Sequence, residues 1–479
     1  MRRALAVLVV VAAGVVAVLV THGSKTRSWP VANGDLSSRR AADATIGSSL
    51  RVAWRFRLPK AATTFGAITA NPVISGNTVY VQDSASSVYA LDAHTGALRW
   101  RHREAAPNDG PNGVTVAGDR VYGATDTTAF ALDVSTGKTL WSRRLVNRFE
   151  QFIGISPVVD RGRVYLSTQG FPPGGRGALY ALSAESGNVV WRFGTIAAPW
   201  PHPDAGGGGA WYPASVDEHG DVYVGISNPG PWGGSTRYPN GAVFGGRALY
   251  TDSLLVLAGA TGRLLWYDQV TRHDVRDYDF EDSPILAGNA VFGAGKAGRV
   301  VAWNRETHRR VWSHSVGTHL HDLGPLPRRT TTVCPGHLGG VLTPMAYAQH
   351  RLFVPVVELC SRESAITTPN AFARDPVQGR GALYALDSAT GKTVWRRQLA
   401  SAPFGCATAM RDAVVVPTYD GRLSVFSAST GRTLVSTRLR DGINACPAVG
   451  AGLLVVAAGA PYSGIANPVA EVVAYGIRG

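Results

Sequence analysis

Residues 271–284, Thr-Arg-His-Asp-Val-Arg-Asp-Tyr-Asp-Phe-Glu-Asp-Ser-Pro, put five carboxylates (Asp274, Asp277, Asp279, Glu281, Asp282) and one imidazole (His273) into ten positions. Like charges this dense are unfavourable unless a cation or a hydrogen-bond network shares them, so the stretch is the first candidate for a chemical centre. Within it, His273 and Asp274 read as a loop brace, because Asp at a turn bonds its own backbone. Asp277 and Asp279 are the harder pair to explain structurally, since two like charges so close need a partner. A second candidate is Asp221-Val-Tyr-Val-Gly-Ile226-Ser-Asn228-Pro-Gly-Pro-Trp232, where a strand pattern ends at Ile226 and two prolines pin a single amide. Asn-Pro is also ordinary turn chemistry. Lys296, in Gly295-Lys-Ala-Gly298, offers a cation, and Trp211, after Gly206-Gly-Gly-Gly, offers a flat apolar surface. Their bland readings are a hairpin lysine and a packed core ring. His319, His321 and Asp322 form a further polar cluster with no assigned role.

These residues need a frame, and an internal repeat supplies it. A short alternating apolar strand, a Thr-Gly or Ser-Gly turn and a Trp recur in Val88 to Trp100, Ala129 to Trp141, Leu179 to Trp191, Leu254 to Trp266, Val300 to Trp312 and Leu383 to Trp395, with a seventh unit from Leu423 to Val435. Each copy reads as a hairpin whose Gly takes the positive φ of the turn. The Trp then stands at a fixed place on the outer strand, where its ring can pack on the next unit. Anchor spacings of 41, 50, 75, 46, 83 and 40 residues fit one four-stranded blade per unit, two of them lengthened by insertions. Glu471 to Ile477 looks like the first half of an eighth unit, and Arg51 to Leu58, with Trp54, like its missing second half. Joining them predicts an all-β, eight-bladed β-propeller with Trp-anchored blades and no free sheet edge. An open solenoid would need polar capping repeats, which are not seen. The insertions between Trp191 and Trp266 and between Trp312 and Trp395 are the expected carriers of function, as loops on a rigid scaffold usually are.

Composition narrows the class. The 479 residues include 56 Gly and 28 Pro, a load that favours short strands and turns. The net charge of +14 is scattered as single or paired arginines with no basic-aromatic groove, so no nucleic-acid partner is expected. Met1-Arg2-Arg3 precedes an apolar run from Ala4 to Val20. Residues 1–25 are therefore expected to form a hydrophobic helix acting as signal peptide or membrane anchor, with the propeller, residues 26–479, outside the cytoplasm. Cys334, Cys360, Cys406 and Cys446 would all lie in that exported part, where disulfides persist. Four cysteines allow three connectivities, of which pairing of neighbours is the expectation; zinc is the weaker reading without a C-x-x-C.

The repeats, Asn228-Pro-Gly-Pro-Trp232 and His273-Asp-Val-Arg-Asp277-Tyr-Asp279 together resemble the quinoprotein alcohol dehydrogenase family, eight-bladed propellers that bind pyrroloquinoline quinone (PQQ). The resemblance runs from about Trp29 to the C-terminus. It implies that Asn228 is a metal ligand, that Asp277 is both ligand and catalytic base, and that Asp279 is the extra acid of lanthanide-using members. It further implies that Trp211 stacks under the cofactor, that Lys296 contacts the quinone oxygens, and that Cys334 and Cys360 are bridged. Three positions depart from the pattern: Pro172 stands where a metal-binding Glu is expected, Asn112 where an Arg contacts the cofactor, and Val341 where a cofactor-facing Asn stands. The family's adjacent-cysteine ring is missing near residues 105–112, and no C-x-x-C-H is present for a fused haem.

The chemistry so implied is oxidation of an alcohol or polyol. Asp277 would take the hydroxyl proton while hydride passes to the quinone, a calcium or lanthanide ion held by Asn228, Asp277 and Asp279 would polarise the quinone carbonyl, and Lys296 would stabilise the reduced ring. A separate electron acceptor would be needed. The rival expectation is a non-catalytic propeller, a scaffold or binding module, which Pro172 and Asn112 favour.

Overall fold

The computed structural model describes residues 28–477 apart from 48, 60–62, 64–65, 109, 148–149, 172–173, 198–204, 242–247, 368–378 and 462–463. The expected helix of residues 1–25 and the Pro172 position lie outside the described residues. Eight antiparallel sheets follow one another along the chain as the blades of a propeller. Blades 1 to 7 occupy residues 73–102, 115–144, 151–194, 215–269, 285–315, 346–399 and 408–438, and the third has a fifth short strand. The eighth joins Ala448–Gly450, Leu453–Ala458 and Glu471–Gly476 to Arg51–Arg57 from the other end of the chain. Arg57 pairs with Glu471 and Arg51 with Gly476, so the ring closes with every strand of that sheet in register apart from one bulge after Val52. Closure removes the open sheet ends that would otherwise template association.

Between blades the same joint recurs. The indole N–H of Trp141 donates to Ala184 O at 3.0 Å, and a Cβ on Gly187 would fall 2.5 Å from that indole, so the turn must be glycine. Trp54, Trp100, Trp191, Trp312 and Trp395 make equivalent bonds to Ala93, Val134, Gly259, Ser388 and Ala428. The Trp54 joint carries ring closure itself, from blade 8 to blade 1. Trp266 meets a variant: His308, at φ +59°, replaces the glycine, and its imidazole stacks on the indole at 4.7 Å.

A strap, residues 29–44, runs round the channel along the inner strands. Its carbonyls at Pro30, Leu36, Ser37, Arg39, Arg40 and Ala44 accept from Val116, Val216, Leu286, Tyr347, Ala409 and Arg411, and Trp29 exchanges two bonds with Ile74. Backbone groups on the inner edge of a propeller face the channel without a strand partner, and the strap satisfies them blade by blade. Its Arg40, fully buried, donates to Ala32 O, Asn33 Oδ1, Ala407 O, Thr408 Oγ1 and Pro447 O.

Both expected disulfides are present, Cys334–Cys360 and Cys406–Cys446. Each insertion is also pinned on itself through a short pairing: Gly206–Gly207 with Pro229–Gly230 in the first, and Thr331–Val333 with Ser361–Glu363 in the second. The first of these holds the Trp211 segment in register with the Asn228 segment.

Candidate functional site

Three chain segments converge at one face. Strand Asp221–Gly225 of blade 4 leads to Asn228, and strand Ala290–Gly295 of blade 5 ends just before Lys296. The loop from Leu264–Gln269 to Ile285–Ala287 crosses between the two blades and carries the acidic stretch. It lies flat on both strand ends. A Cβ on Gly225 would come within 2.5 Å of Phe280 O, and one on Gly295 within 2.1 Å of Asp279 O, so glycine at these two positions is a condition of the site.

Within the loop, Asp274 is the brace: Oδ1 accepts from Arg276 N at 2.8 Å and Oδ2 from Tyr278 N at 2.6 Å. The bend places Asp277 at φ +63°, a left-handed conformation that Asp tolerates better than most residues. Side chains then alternate. Arg276 donates to His321 O and Gly324 O, and Tyr278 donates to Pro335 O, all in the second insertion, while Asp277, Asp279 and Glu281 face a cavity.

Asp277 and Asp279 share one ammonium. Lys296 Nζ lies 2.9 Å from Asp277 Oδ2 and 2.5 Å from Asp279 Oδ2. Asn228 closes the other side, its side-chain amide donating to Asp277 Oδ1 at 2.8 Å and its backbone N–H to Asp279 Oδ1 at 2.7 Å. Burial pushes the Asp277 carboxyl up to about 7, although the neighbouring Lys296 charge pulls it down. Burial alone would lower the Lys296 ammonium, but Asp277, Asp279 and Glu281 around it drive it well above the ordinary lysine range. Glu281, 5% exposed and with no side-chain hydrogen bond among the described residues, is raised well above the usual carboxylate range by burial. Behind the site, Asp252 is fully buried with neither carboxylate oxygen hydrogen-bonded. Its carboxyl is likewise raised well above the usual range, by burial first and then by Asp274 and Asp279. Negative charge is thus in excess of the one lysine that faces it.

The cavity, about 760 Å³, lies within the usual range for small-molecule sites. Trp211 lines it and packs on Phe152 at 5.5 Å, with Phe171 stacked beyond at 5.2 Å. The aromatic wall and the glycine backbone at residues 110, 170, 207 and 230 suit the flat rings of PQQ, while for its carboxylates Lys296 is the one cation among the described lining residues. For a metal the fit is one of donor type rather than number. Two carboxylates already surround a cation, here Lys296, with the Asn228 amide on the other oxygen of Asp277, yet among the described residues no three His, Cys, Asp or Glu side chains form a metal cage.

All five sequence-derived site residues, Trp211, Asn228, Asp277, Asp279 and Lys296, therefore line the same cavity. The departures are structural in effect. Asn112 is buried and donates to Ile153 O, and Val341 sits in the core under blades 5 and 6; neither lines the cavity. His319 bonds Asp322 at 2.7 Å, with Arg299 on the same carboxylate, away from the cavity lining. Glu281 and Tyr212 also line the cavity, the Tyr212 hydroxyl pushed well above its ordinary range by burial and by the Glu281 and Asp282 charges, and neither was singled out from the sequence. The period-2 spacing 277, 279, 281 carried the signal for Glu281; nothing marked Tyr212.

With this geometry in view, the comparisons with known proteins gain meaning. Residues 108–327 and 379–467, more than half of the chain, match the family model described as outer membrane protein assembly factor BamB, a PQQ-repeat model. Residues 43–128 match the model of the glucose/ethanol/alcohol dehydrogenase β-propeller domain. The chain belongs to the quinoprotein alcohol dehydrogenase-like propeller family. Among its relatives, quinohemoprotein alcohol dehydrogenase ADH IIB of Pseudomonas putida is 32% identical over 51% of this chain and 39% of its own length. Quinohemoprotein alcohol dehydrogenase of Comamonas testosteroni is 27% identical over 89% of this chain and 71% of its own length. The solved structure of quinohemoprotein alcohol dehydrogenase ADHIIG from Pseudomonas putida HK5 superposes with a TM-score of 0.80 at 22% identity, covering 94% of this chain and 80% of that one, which is likeness of fold. Within this quinoprotein-like propeller, the insertions of blade 4 and the blade 4 to 5 loop carry the site.

Proposed function

We propose that the protein is a PQQ-dependent dehydrogenase that oxidises an alcohol. The observation that carries this reading is the Asp277 carboxylate, held by Asn228 on one oxygen and Lys296 on the other, at the wall of a cavity that also presents Trp211. When bound, PQQ would supply the two-electron acceptor that no side chain provides.

The protein's own residues would do the rest. Asp277 takes the substrate hydroxyl proton, and a carboxyl held near 7 exists in both protonation states at neutral pH, as a group that takes and releases a proton requires. Asn228 and Lys296 fix its orientation, so little geometry has to be organised during reaction. Lys296 would be the residue to supply positive charge to an acceptor oxygen on which negative charge develops. Trp211 gives the flat apolar support. A calcium or lanthanide ion would use Asn228, Asp277 and Asp279 in competition with Lys296, with remaining ligands drawn from the cofactor. The same reading has the propeller exported and held to the membrane by residues 4–20, passing electrons to a separate acceptor; the two disulfides support an oxidising compartment.

The test is retention of cofactor. Purified protein incubated with PQQ plus calcium or a lanthanide should keep the quinone absorbance through gel filtration and oxidise an alcohol with an artificial acceptor. Loss of the quinone with both metals sinks the enzyme. A non-catalytic scaffold or binding module would then stand, a reading supported by Asn112 being spent on Ile153 O and by the assembly-factor name of the longer-matching family model.

A further inference from the structure

Arginines that are scattered along the sequence gather in the fold. Each blade presents one outer strand to the circumference, and those of blades 8, 1 and 2, neighbours in the ring, are Arg51–Arg57, Leu98–His102 and Thr139–Arg144. They hold seven arginines and no acid: Arg51, Arg55 and Arg57 on the first, Arg99 and Arg101 on the second, Arg143 and Arg144 on the third. Across the ring, the outer strands of blades 3, 4 and 5 hold Arg192, Asp268 and Arg310, and the last two are ion-paired to each other. We infer that the arc of blades 8, 1 and 2 is a docking surface for a lipid bilayer with anionic headgroups, against which the propeller lies side-on. The inference rests on the reading of residues 4–20 as a membrane anchor and adds the surface that meets that membrane.

Charge argues for it first. Of the seven, Arg55 and Arg99 meet carboxylates among the described residues, Glu471 at 2.7 Å and Asp92 at 2.6 Å. Where the others have described partners, these are neutral. Arg101 donates to Ser87 Oγ at 3.3 Å and lies over the Tyr89 ring, Arg143 donates to Gly187 O at 3.3 Å, and Arg144 donates to Asn147 Oδ1 at 3.1 Å. Such bonds hold a guanidinium in place without cancelling its charge. All seven are exposed except Arg101, which is half-buried, and a guanidinium has further N–H donors for phosphate oxygens.

Position argues second. The strap enters the ring at blade 1, the middle of the arc, where Trp29 pairs with Ile74. Val20, the end of the apolar run, precedes Trp29 by nine residues, a reach of about 30 Å when extended. An outer strand stands three strand spacings, about 15 Å, beyond the inner strand of its blade, so the arc falls within that reach. Lys25 and Arg27 add positive charge to the connecting stretch. Val52, Leu98 and Leu140 are exposed near the start of the same three strands, but so are Val190, Val311 and Val394 on blades 3, 5 and 6. The arginines, not the apolar residues, therefore set the side.

Co-sedimentation with vesicles tests the surface apart from the anchor. Every strand and the strap lie within residues 29–477, so protein lacking residues 1–25 keeps the whole ring. It should bind mixed phosphatidylglycerol and phosphatidylcholine vesicles at about 50 mM salt, about 100-fold more tightly than pure phosphatidylcholine, and leave them at about 500 mM. Arg57→Gln, Arg101→Gln and Arg144→Gln together should weaken binding about 100-fold. Arg192→Gln, Arg263→Gln and Arg309→Gln together remove the same charge from blades 3 to 5 and should weaken it less than about threefold. Equal loss in the two triple variants, or equal binding to neutral vesicles, overturns the inference; no binding overturns it in favour of an acidic protein as the occupant. If the first triple variant does not fold, hydrogen exchange of the parent on vesicles decides. Protection in residues 51–57, 98–102 and 139–144 but not in 189–194 or 264–269 upholds the arc, and any other pattern overturns it. Full-length protein released from membranes by a high-salt wash overturns the anchor reading, not the arc, which the vesicles decide.

Discussion

Two of the buried cations, Arg40 and Lys296, have unlike surroundings. Arg40 is surrounded by five neutral oxygen acceptors from the strap and from blades 7 and 8. Lys296 is surrounded by carboxylates, with Asp277 and Asp279 in contact and Glu281 nearby without a hydrogen bond. The first arrangement is complete in hydrogen bonds: all five acceptors are neutral, and the buried Asp282 carboxylate is close enough to support the charge. The second leaves buried carboxylates in excess of the one ammonium, a condition that a further cation or a proton relieves. Completeness marks a structural network, and the uncompensated excess marks a site.

Substitution should break the two in opposite ways. Asp277→Asn should lower kcat/KM of the loaded enzyme about 10³-fold, within the usual contribution of a general base, while leaving the denaturation midpoint near that of the parent. A variant that keeps full turnover removes Asp277 from the mechanism. Arg40→Ala should do the reverse, costing roughly 4 kcal/mol of stability by leaving buried acceptors unpaired, with kcat per folded molecule little changed.

Smaller effects sharpen the contrast. Asp274, Asp277 and Glu363 each have carboxyls raised to about 7 by burial, so the folded protein binds protons that the unfolded chain releases. That stabilisation is fully present below the unfolded carboxylate range near 4 and is lost as pH rises through about 7. The unloaded protein should therefore melt at a lower temperature at pH 8 than at pH 5, and added calcium or lanthanide with PQQ should restore part of the loss at pH 8. A flat pH profile would mean that the cluster is already compensated. In the same window, kcat/KM should rise through about pH 7 as Asp277 deprotonates. The smallest change belongs to the blade joints. Trp141→Phe keeps the ring against Gly187 but loses the bond to Ala184, and should cost about 1 kcal/mol by denaturant titration without altering the pH dependence.

Much of the site was legible because its signals are local. Asp277 and Asp279 stood out as two like charges so close that they need a partner, Asn228 as an amide pinned by prolines, and Trp211 as a ring next to a run of glycines. Glu281 was passed over although it continues the 277, 279 alternation, since a third acid in a cluster looks like more of the same until burial shows it without a bond. Tyr212 and Asp252 had no signal at all: their importance comes from what surrounds them in space. Arg40 was equally silent, one arginine among many, because its five acceptors come from residues up to about 400 positions away.

What the sequence determined by itself is the ring and its closure. Period-2 strands, Thr-Gly turns and spaced tryptophans are short-range patterns, and Trp54 with Glu471–Gly476 shows where the last blade borrows its strand. What only the tertiary structure decided is which charges are compensated. Folding lays residues 279–282 on Gly225 and Gly295, brings Lys296 between two aspartates and buries Glu281 beside them, and electrostatic balance depends on those distances rather than on order along the chain.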